Sequence, residues 1–237
     1  MEDEPKYLNI KENLAVAKSR LKNLQQKYGR SGEKIRILAV SKNQHSDAIR
    51  QAYQAGQMSF GENYLQESTQ KQENLKDLNI DWHFIGAIQS NKTRYIANNF
   101  SWVHSLDRLK IAHRLAAQRS DHLPPLNVLI QVTHPGEMKH GIYPDELLNF
   151  SQKLLAFPNL NLRGIMYFPP KGGTVKENRG KYAKMVDLAQ YLDNSDTLSM
   201  GTSSDYEAAV SAGSTLVRLG TTIFGPRPVI CRGKNGE

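Results

Sequence analysis

The chain has 237 residues, 39% of them apolar, with 31 Lys and Arg against 23 Asp and Glu for a net charge of +8; it can bury a sizeable core and is no disordered chain. No stretch approaches the roughly 20 apolar residues of a membrane span, and the acidic start Met1-Glu2-Asp3-Glu4 lacks the apolar run of a secretory signal, so a cytoplasmic location is expected. The single cysteine, Cys231, excludes an internal disulfide and a Cys-rich zinc site.

Apolar positions at Leu8, Leu14, Val16, Ala17, Leu21 and Leu24 recur near a helical period and predict a helix over about 8–28, ended by Gly29. From Ile35 a new pattern begins, in which short aliphatic runs alternate with helical segments. Strands are predicted at 35–41, 58–62, 81–86, 102–105, 126–132, 160–167, 197–201 and 215–220. Helices are predicted at about 46–56, 62–76, 91–99, 107–119, 144–156, 176–193 and 205–212. Near-continuous apolar strands alternating with helices mark a parallel sheet covered on both faces. Eight such strands close a (β/α)8 barrel, and the length suits one. The fingerprints G-x-G-x-x-G and G-x-x-x-x-G-K-[ST] are absent, which weakens the rival open, nucleotide-binding sheet. The expected architecture is a single α/β TIM-barrel domain over 1–237. It has an extra N-terminal helix, a barrel over about 35–225 and a short tail at 226–237.

Chemistry in such a barrel gathers at the C-terminal ends of the strands. Lys42 ends the first strand, on the face of Leu38 and Val40; at the barrel mouth over an apolar floor its amine would be freed to attack a carbonyl. A lysine that merely snorkels to water is the plainer alternative. Gly201-Thr202-Ser203-Ser204 follows the seventh strand and Gly220-Thr221-Thr222 the eighth, the two places where barrels of this class often hold a phosphate. Arg218 lies inside the apolar eighth strand and needs a partner, either an acidic residue of another strand or a ligand acceptor. No His and carboxylate cluster has metal-ligand spacing, so no metal is expected. A carbonyl-binding lysine, a phosphate cradle and a buried arginine suit pyridoxal 5′-phosphate (PLP). An arginine facing the ring nitrogen would keep that nitrogen unprotonated and restrain the ring as an electron sink.

Leu38-Ala39-Val40-Ser41-Lys42, Phe60-Gly61-Glu62-Asn63-Tyr64, Trp82-His83-Phe84-Ile85-Gly86, Gln89-Ser90-Asn91-Lys92, Leu198-Ser199-Met200-Gly201 and Val217-Arg218-Leu219-Gly220-Thr221 resemble the pyridoxal phosphate homeostasis protein family. The matches run in order from about residue 8 to 227. That family is similar in fold to the barrel domain of bacterial alanine racemase. The resemblance implies that Lys42 forms the internal aldimine with PLP, that Ser203, Gly220 and Thr221 bind its phosphate, and that Arg218 faces the pyridine nitrogen. It also implies that Asn63 and His83 fall in motifs lining the cofactor pocket, and that the protein serves intracellular vitamin B6 balance without an established reaction. Thr202-Ser203-Ser204 departs from the family pattern, as do Ala87-Ile88; Met166-Tyr167-Phe168 is bulkier than usual and would narrow the mouth.

The leading expectation is therefore a monomeric PLP carrier that holds the cofactor and releases it to PLP-dependent apo-enzymes, with no catalytic residue assigned. Its first rival is an amino-acid racemase, which needs acid/base groups on both faces of the substrate. Alanine racemases take the second group from a C-terminal domain, for which a chain ending at Glu237 leaves no room; His83, His104 and Tyr64 are the improvised bases left to it. A Schiff-base aldolase would give Arg218 no purpose. Nucleic-acid binding rests on charge alone. The basic residues are spread out, their densest stretch being Lys171 to Lys181, and no nucleic-acid module is present, so neither nucleic acid nor membrane is an expected partner.

Overall fold

A computed structural model describes residues 9–134, 140–170 and 172–226. Leu8, Lys171, Cys231 and all but the first residue of the tail expected at 226–237 lie outside the described residues. An N-terminal helix, α1 (Ile10–Lys27), precedes eight strands: β1 (Arg36–Val40), β2 (Ser59–Glu62), β3 (Asp81–Phe84), β4 (Trp102–Leu106), β5 (Leu126–Val132), β6 (Leu160–Tyr167), β7 (Thr197–Thr202) and β8 (Leu216–Leu219). Between and after them run α2 (Ser46–Gln54), α3 (Leu65–Asn74), α4 (Thr93–Asn99), α5 (Leu109–Gln118), α6 (Leu147–Leu154), α7 (Val175–Ala189), α8 (Tyr206–Ala212) and α9 (Thr221–Phe224). Every strand pairs in parallel with its sequence neighbour, and β8 returns to β1, closing the expected barrel.

Alternation along the strands sorts the side chains. Ala39, Phe60, Trp82, Phe84, Val103, Val217 and Leu219 belong to the large apolar core shared with the helices. Residues of the opposite parity turn toward the barrel axis. Barrels of this class fill that space with branched aliphatics. Here the apolar filling is partial: Leu38, Leu216 and a small cluster of Trp102 with Leu129 and Met166 are buried on that face, and His83, His104, Ser199 and Arg218 are buried alongside them.

Local chemistry accounts for the element ends. Asn9 caps α1 by accepting from the Glu12 N–H at 3.2 Å, and Thr174 with Glu177 forms a capping box on α7. Buried Ile10, Leu14, Ala17, Leu21 and Leu24 recur at the helical period and seat α1 on the barrel; Asn13 Nδ2 donates to the Ile223 carbonyl of α9 at 3.0 Å. Of the differences from the sequence-based expectation, three bear on the site. α3 begins at Leu65 rather than 62, because Glu62 pairs with Phe84 in the sheet. β3 ends at Phe84 rather than 86, where Gly86 packs on the backbone of the loop after β2: a Cβ there would lie 2.0 Å from the Asn63 carbonyl oxygen. The turn cluster after β8 is itself the short helix α9.

Candidate functional site

A cavity of about 360 Å³ opens at the C-terminal ends of the strands, with Val40, Lys42, Asn63, Arg218, Gly220 and Thr221 on its wall. Its volume falls within the ≈ 300–1,000 Å³ of small-molecule sites. Lys42 is held there by its neighbours. Ser41 N–H donates to the Gly61 carbonyl at 3.0 Å and Ser41 Oγ to Glu62 Oε1 at 2.6 Å. Lys71 Nζ then donates to the Ser41 carbonyl (2.6 Å), Glu62 Oε1 (2.8 Å) and Glu67 Oε1 (2.6 Å). On the other side of Lys42, the Asn43 N–H donates to Glu67 Oε1 at 2.5 Å, with Asn43 at φ +61°. Burial pushes the Glu62 carboxyl pKa up, against the pull of Lys71 and Ser41. This ionic knot lies beneath the turn and fixes the path of Lys42 without occupying the cavity.

The opposite wall comes from the turns after β7 and β8. The β7–β8 register slips between Ser199 and Thr202, and Gly201 takes φ +89°. A Cβ on Gly201 would meet Ala209 Cβ at 2.6 Å and Tyr206 Cα at 2.8 Å, so glycine alone fits this bend. Asp205 Oδ1 accepts from the Thr202 N–H and Oγ1 at 2.7 Å each and closes the turn. Ser203 is thereby carried over β8. The backbone N–H groups of Gly220 and Thr222 both donate to its Oγ, at 3.2 and 3.3 Å. Two amides converging on one oxygen beside two hydroxyls form a donor set suited to a phosphate.

Arg218 forms the floor. It is 2% exposed and shows no ion pair among the described residues. Its guanidinium donates instead to the Ser199 carbonyl, to Ser199 Oγ at 2.7 Å and to the Tyr167 carbonyl at 3.2 Å. The Phe168 ring lies over it at 4.0 Å. Burial lowers the Arg218 pKa to about 10, partly offset by Tyr182 and Asp205, and leaves the group charged at neutral pH.

Of the residues singled out in the sequence, the structure brings Lys42, Asn63, Ser203, Arg218, Gly220 and Thr221 to one cavity. Asn63 reaches it because Gly86 lets the two loops touch, and its Oδ1 is buried without a hydrogen-bond partner. His83 is not on that wall: β3 ends early, Ile85 takes the wall position, and His83 sits deeper on the axis, 1% exposed. His104 is likewise buried inside the barrel, and Tyr64, 55% exposed, lines a neighbouring groove of about 750 Å³. Sequence reasoning passed over Ile85 as a wall residue and Glu62, Glu67 and Lys71 behind Lys42. Alternation from Phe84 could have found the first; nothing in sequence joins Lys71 to Ser41. Among the described residues no group of His, Cys, Asp or Glu is placed to hold a metal, and no helix is long and apolar enough to cross a membrane.

A closed parallel barrel with a lysine after its first strand and an anion cradle after its last two defines a class, and residues 13–228 match the family model described as alanine racemase, N-terminal domain. The chain belongs to the pyridoxal phosphate homeostasis protein family within that class. It is 48% identical to the pyridoxal phosphate homeostasis protein of Pseudomonas aeruginosa, over 92% of this chain and 96% of that one. It is 44% identical to the Escherichia coli K12 protein of the same description, over 92% and 97%. Among solved structures, PipY of Synechococcus elongatus, with PLP bound, superposes with a TM-score of 0.78 at 35% identity, covering 91% of this chain and all of that one. Alanine racemase of Corynebacterium glutamicum shares the fold at 17% identity and a TM-score of 0.66, over 94% of this chain and 62% of that enzyme.

Proposed function

We propose that the cavity holds PLP and that the protein keeps this cofactor in reserve and yields it to PLP-dependent apo-enzymes, without turnover of its own. One observation carries the reading: a lysine amine, a phosphate-type donor set and a buried guanidinium line a single cavity of about 360 Å³. The PLP-bound relative supports it. When bound, PLP supplies an aldehyde for an amine and a ring that draws off negative charge. Lys42 is the group that takes the aldehyde, held in place by Ser41 and Asn43. Ser203, Gly220 and Thr221 take the phosphate. Arg218, charged at neutral pH, donates to the ring nitrogen and withholds its proton from it. Asn63 offers its buried Oδ1 to the ring substituents.

The same wall argues for storage over turnover. Racemisation requires proton donors and acceptors on both faces of a bound amino acid. Among the described residues Lys42 is the one group of that kind on the cavity wall, and no histidine, tyrosine or carboxylate stands opposite it. Phe168, 42% exposed, narrows the entrance over Arg218. All the groups named belong to one chain, and the working unit we propose is a monomer. The test is to load the protein with PLP and mix it with an apo-aminotransferase in one vessel and L-alanine in another. Restored aminotransferase activity with no D-alanine by chiral chromatography is expected; steady D-alanine formation that Lys42→Ala abolishes would make it a racemase.

A further inference from the structure

Below the cavity the barrel axis carries polar side chains that the proposed function leaves unused. Arg218 Nη1 donates to Ser199 Oγ at 2.7 Å. That oxygen lies 3.0 Å from His104 Nδ1, His104 Nε2 lies 2.8 Å from His83 Nδ1, and His83 Nε2 lies 2.9 Å from Asp81 Oδ2. Ser199, His104 and His83 are buried, whereas the Asp81 side chain is 37% exposed at the far mouth of the barrel.

Proton counting gives this row a direction. Burial works against the Asp81 carboxylate, but hydrogen bonds from His83, Ser101 and Ser59 outweigh it and hold its pKa below the usual range, so Asp81 accepts. His83 then carries its hydrogen on Nε2. Burial lowers the pKa of both rings and keeps them neutral, which leaves His83 Nδ1 bare to accept from His104 Nε2–H. His104 Nδ1 is bare in turn and accepts the Ser199 hydroxyl. Ser199 Oγ keeps a lone pair for Arg218, which can only donate. With neutral rings, the reverse direction would set a bare His83 Nε2 against the Asp81 carboxylate, which would then have to be protonated.

We infer that Asp81, His83, His104 and Ser199 are positioning residues for Arg218: one directed hydrogen-bond chain that fixes the guanidinium on the cavity floor and couples it to solvent at the opposite mouth. The inference rests on the reading that Arg218 faces the cofactor ring. Trp102 stacks on His83 at 5.3 Å with the planes 3° apart and holds the row's lower half in line. The charged or titratable neighbours on the packed elements are Arg36 on β1, Arg163 on β6 and Asp196 before β7 at the lower mouth. At the Arg218 end they are Tyr182 on α7 and Asp205 before α8. None of these interrupts the row.

Long-range ¹H–¹⁵N correlation on the full chain, ¹⁵N-labelled at its seven histidines, reads the tautomers directly. Two rings are expected as neutral Nε2–H forms, unchanged from about pH 7 to about pH 8.5, and both should respond to Asp81→Leu. A responding ring in the Nδ1–H form, or one that titrates in that interval, overturns the inference. With PLP loaded, Asp81→Leu should move the pH midpoint of the visible band by about half a unit or more while Asp81→Glu keeps the wild-type profile. A merely structural Asp81 would lower the melting temperature and leave that midpoint in place, which also overturns it. Failure of the wild-type chain to take up PLP would sink the cofactor reading, and the tautomers would still decide the chain.

Discussion

Lys42 owes its position to Ser41 and Asn43, and both are anchored on charges buried behind the turn. Lys71 is the centre of that anchor, bonded to Glu62, Glu67 and the Ser41 carbonyl. Lys71→Met strands Glu62 without its cation, and losing one partner of a buried pair costs about 3–5 kcal/mol. The loss has a pH signature. The Glu62 pKa is raised in the folded protein, so its contribution is fully present below the ordinary carboxylate range and is lost as pH rises through the folded value. Without Lys71 the folded value climbs further. Thermal melts should therefore show a deficit for Lys71→Met that is small near pH 4 and largest above neutrality; a deficit independent of pH would mean that Glu62 does not carry it. At this scale the sequence was most legible on the strands: parity from Leu38 and Val40 placed Lys42 on the inner face, and parity from Gly220 placed Arg218. The family resemblance set His83 in a pocket-lining motif, whereas in the structure it is buried on the barrel axis and Ile85 lines the cavity. Lys71 was illegible because its partners lie on other elements.

Among the elements, the strands stood out for their unbroken aliphatic runs, and their parallel pairing followed from the helices between them. Short-range steric facts stayed hidden. The β7–β8 register slip depends on Gly201 at φ +89° with Ala209 and Tyr206 against it, and sequence alone shows only a glycine near a turn. Gly201→Ala must push the α8 backbone away or abandon the bend, at a cost of about 1–3 kcal/mol for the dihedral alone. The bend delivers Ser203 to the Gly220 and Thr222 amides, so PLP retention should weaken together with the melting temperature. Equilibrium dialysis against PLP measures the first and calorimetry the second; a destabilised variant with wild-type PLP affinity would detach the bend from the phosphate cradle. α9 escaped a periodicity search because four residues are too few to show a period.

For the whole molecule, the barrel is closed by β8 against β1, and α1 lies outside that seam on α9, α8 and α2. α1 thus braces the turn that carries Thr221 through the Asn13 bond to Ile223 and the packing of Leu14. Leu14→Ala should cost about 2–5 kcal/mol, at roughly 2–4 °C in melting temperature per kcal/mol for a chain of this size. PLP should restore part of that loss, since a ligand that binds only the folded state stabilises it; no restoration would mean that α1 and the cradle are independent. An open sheet and a closed barrel give the same string of elements, and what separated them in the sequence was the count of eight and the missing nucleotide loops. The polar interior was less legible, because Ser199, His104 and His83 each read as an ordinary strand residue until the closed barrel set them in a row.

The central claim is that Lys42 holds PLP in this cavity. Its most direct test is an absorption spectrum of the PLP-loaded protein, followed by borohydride reduction and peptide mass mapping. The account predicts a visible band and a pyridoxyl mass on the peptide containing Lys42, with neither in Lys42→Ala. A reduced adduct on another lysine, or no band at saturating PLP, would contradict it.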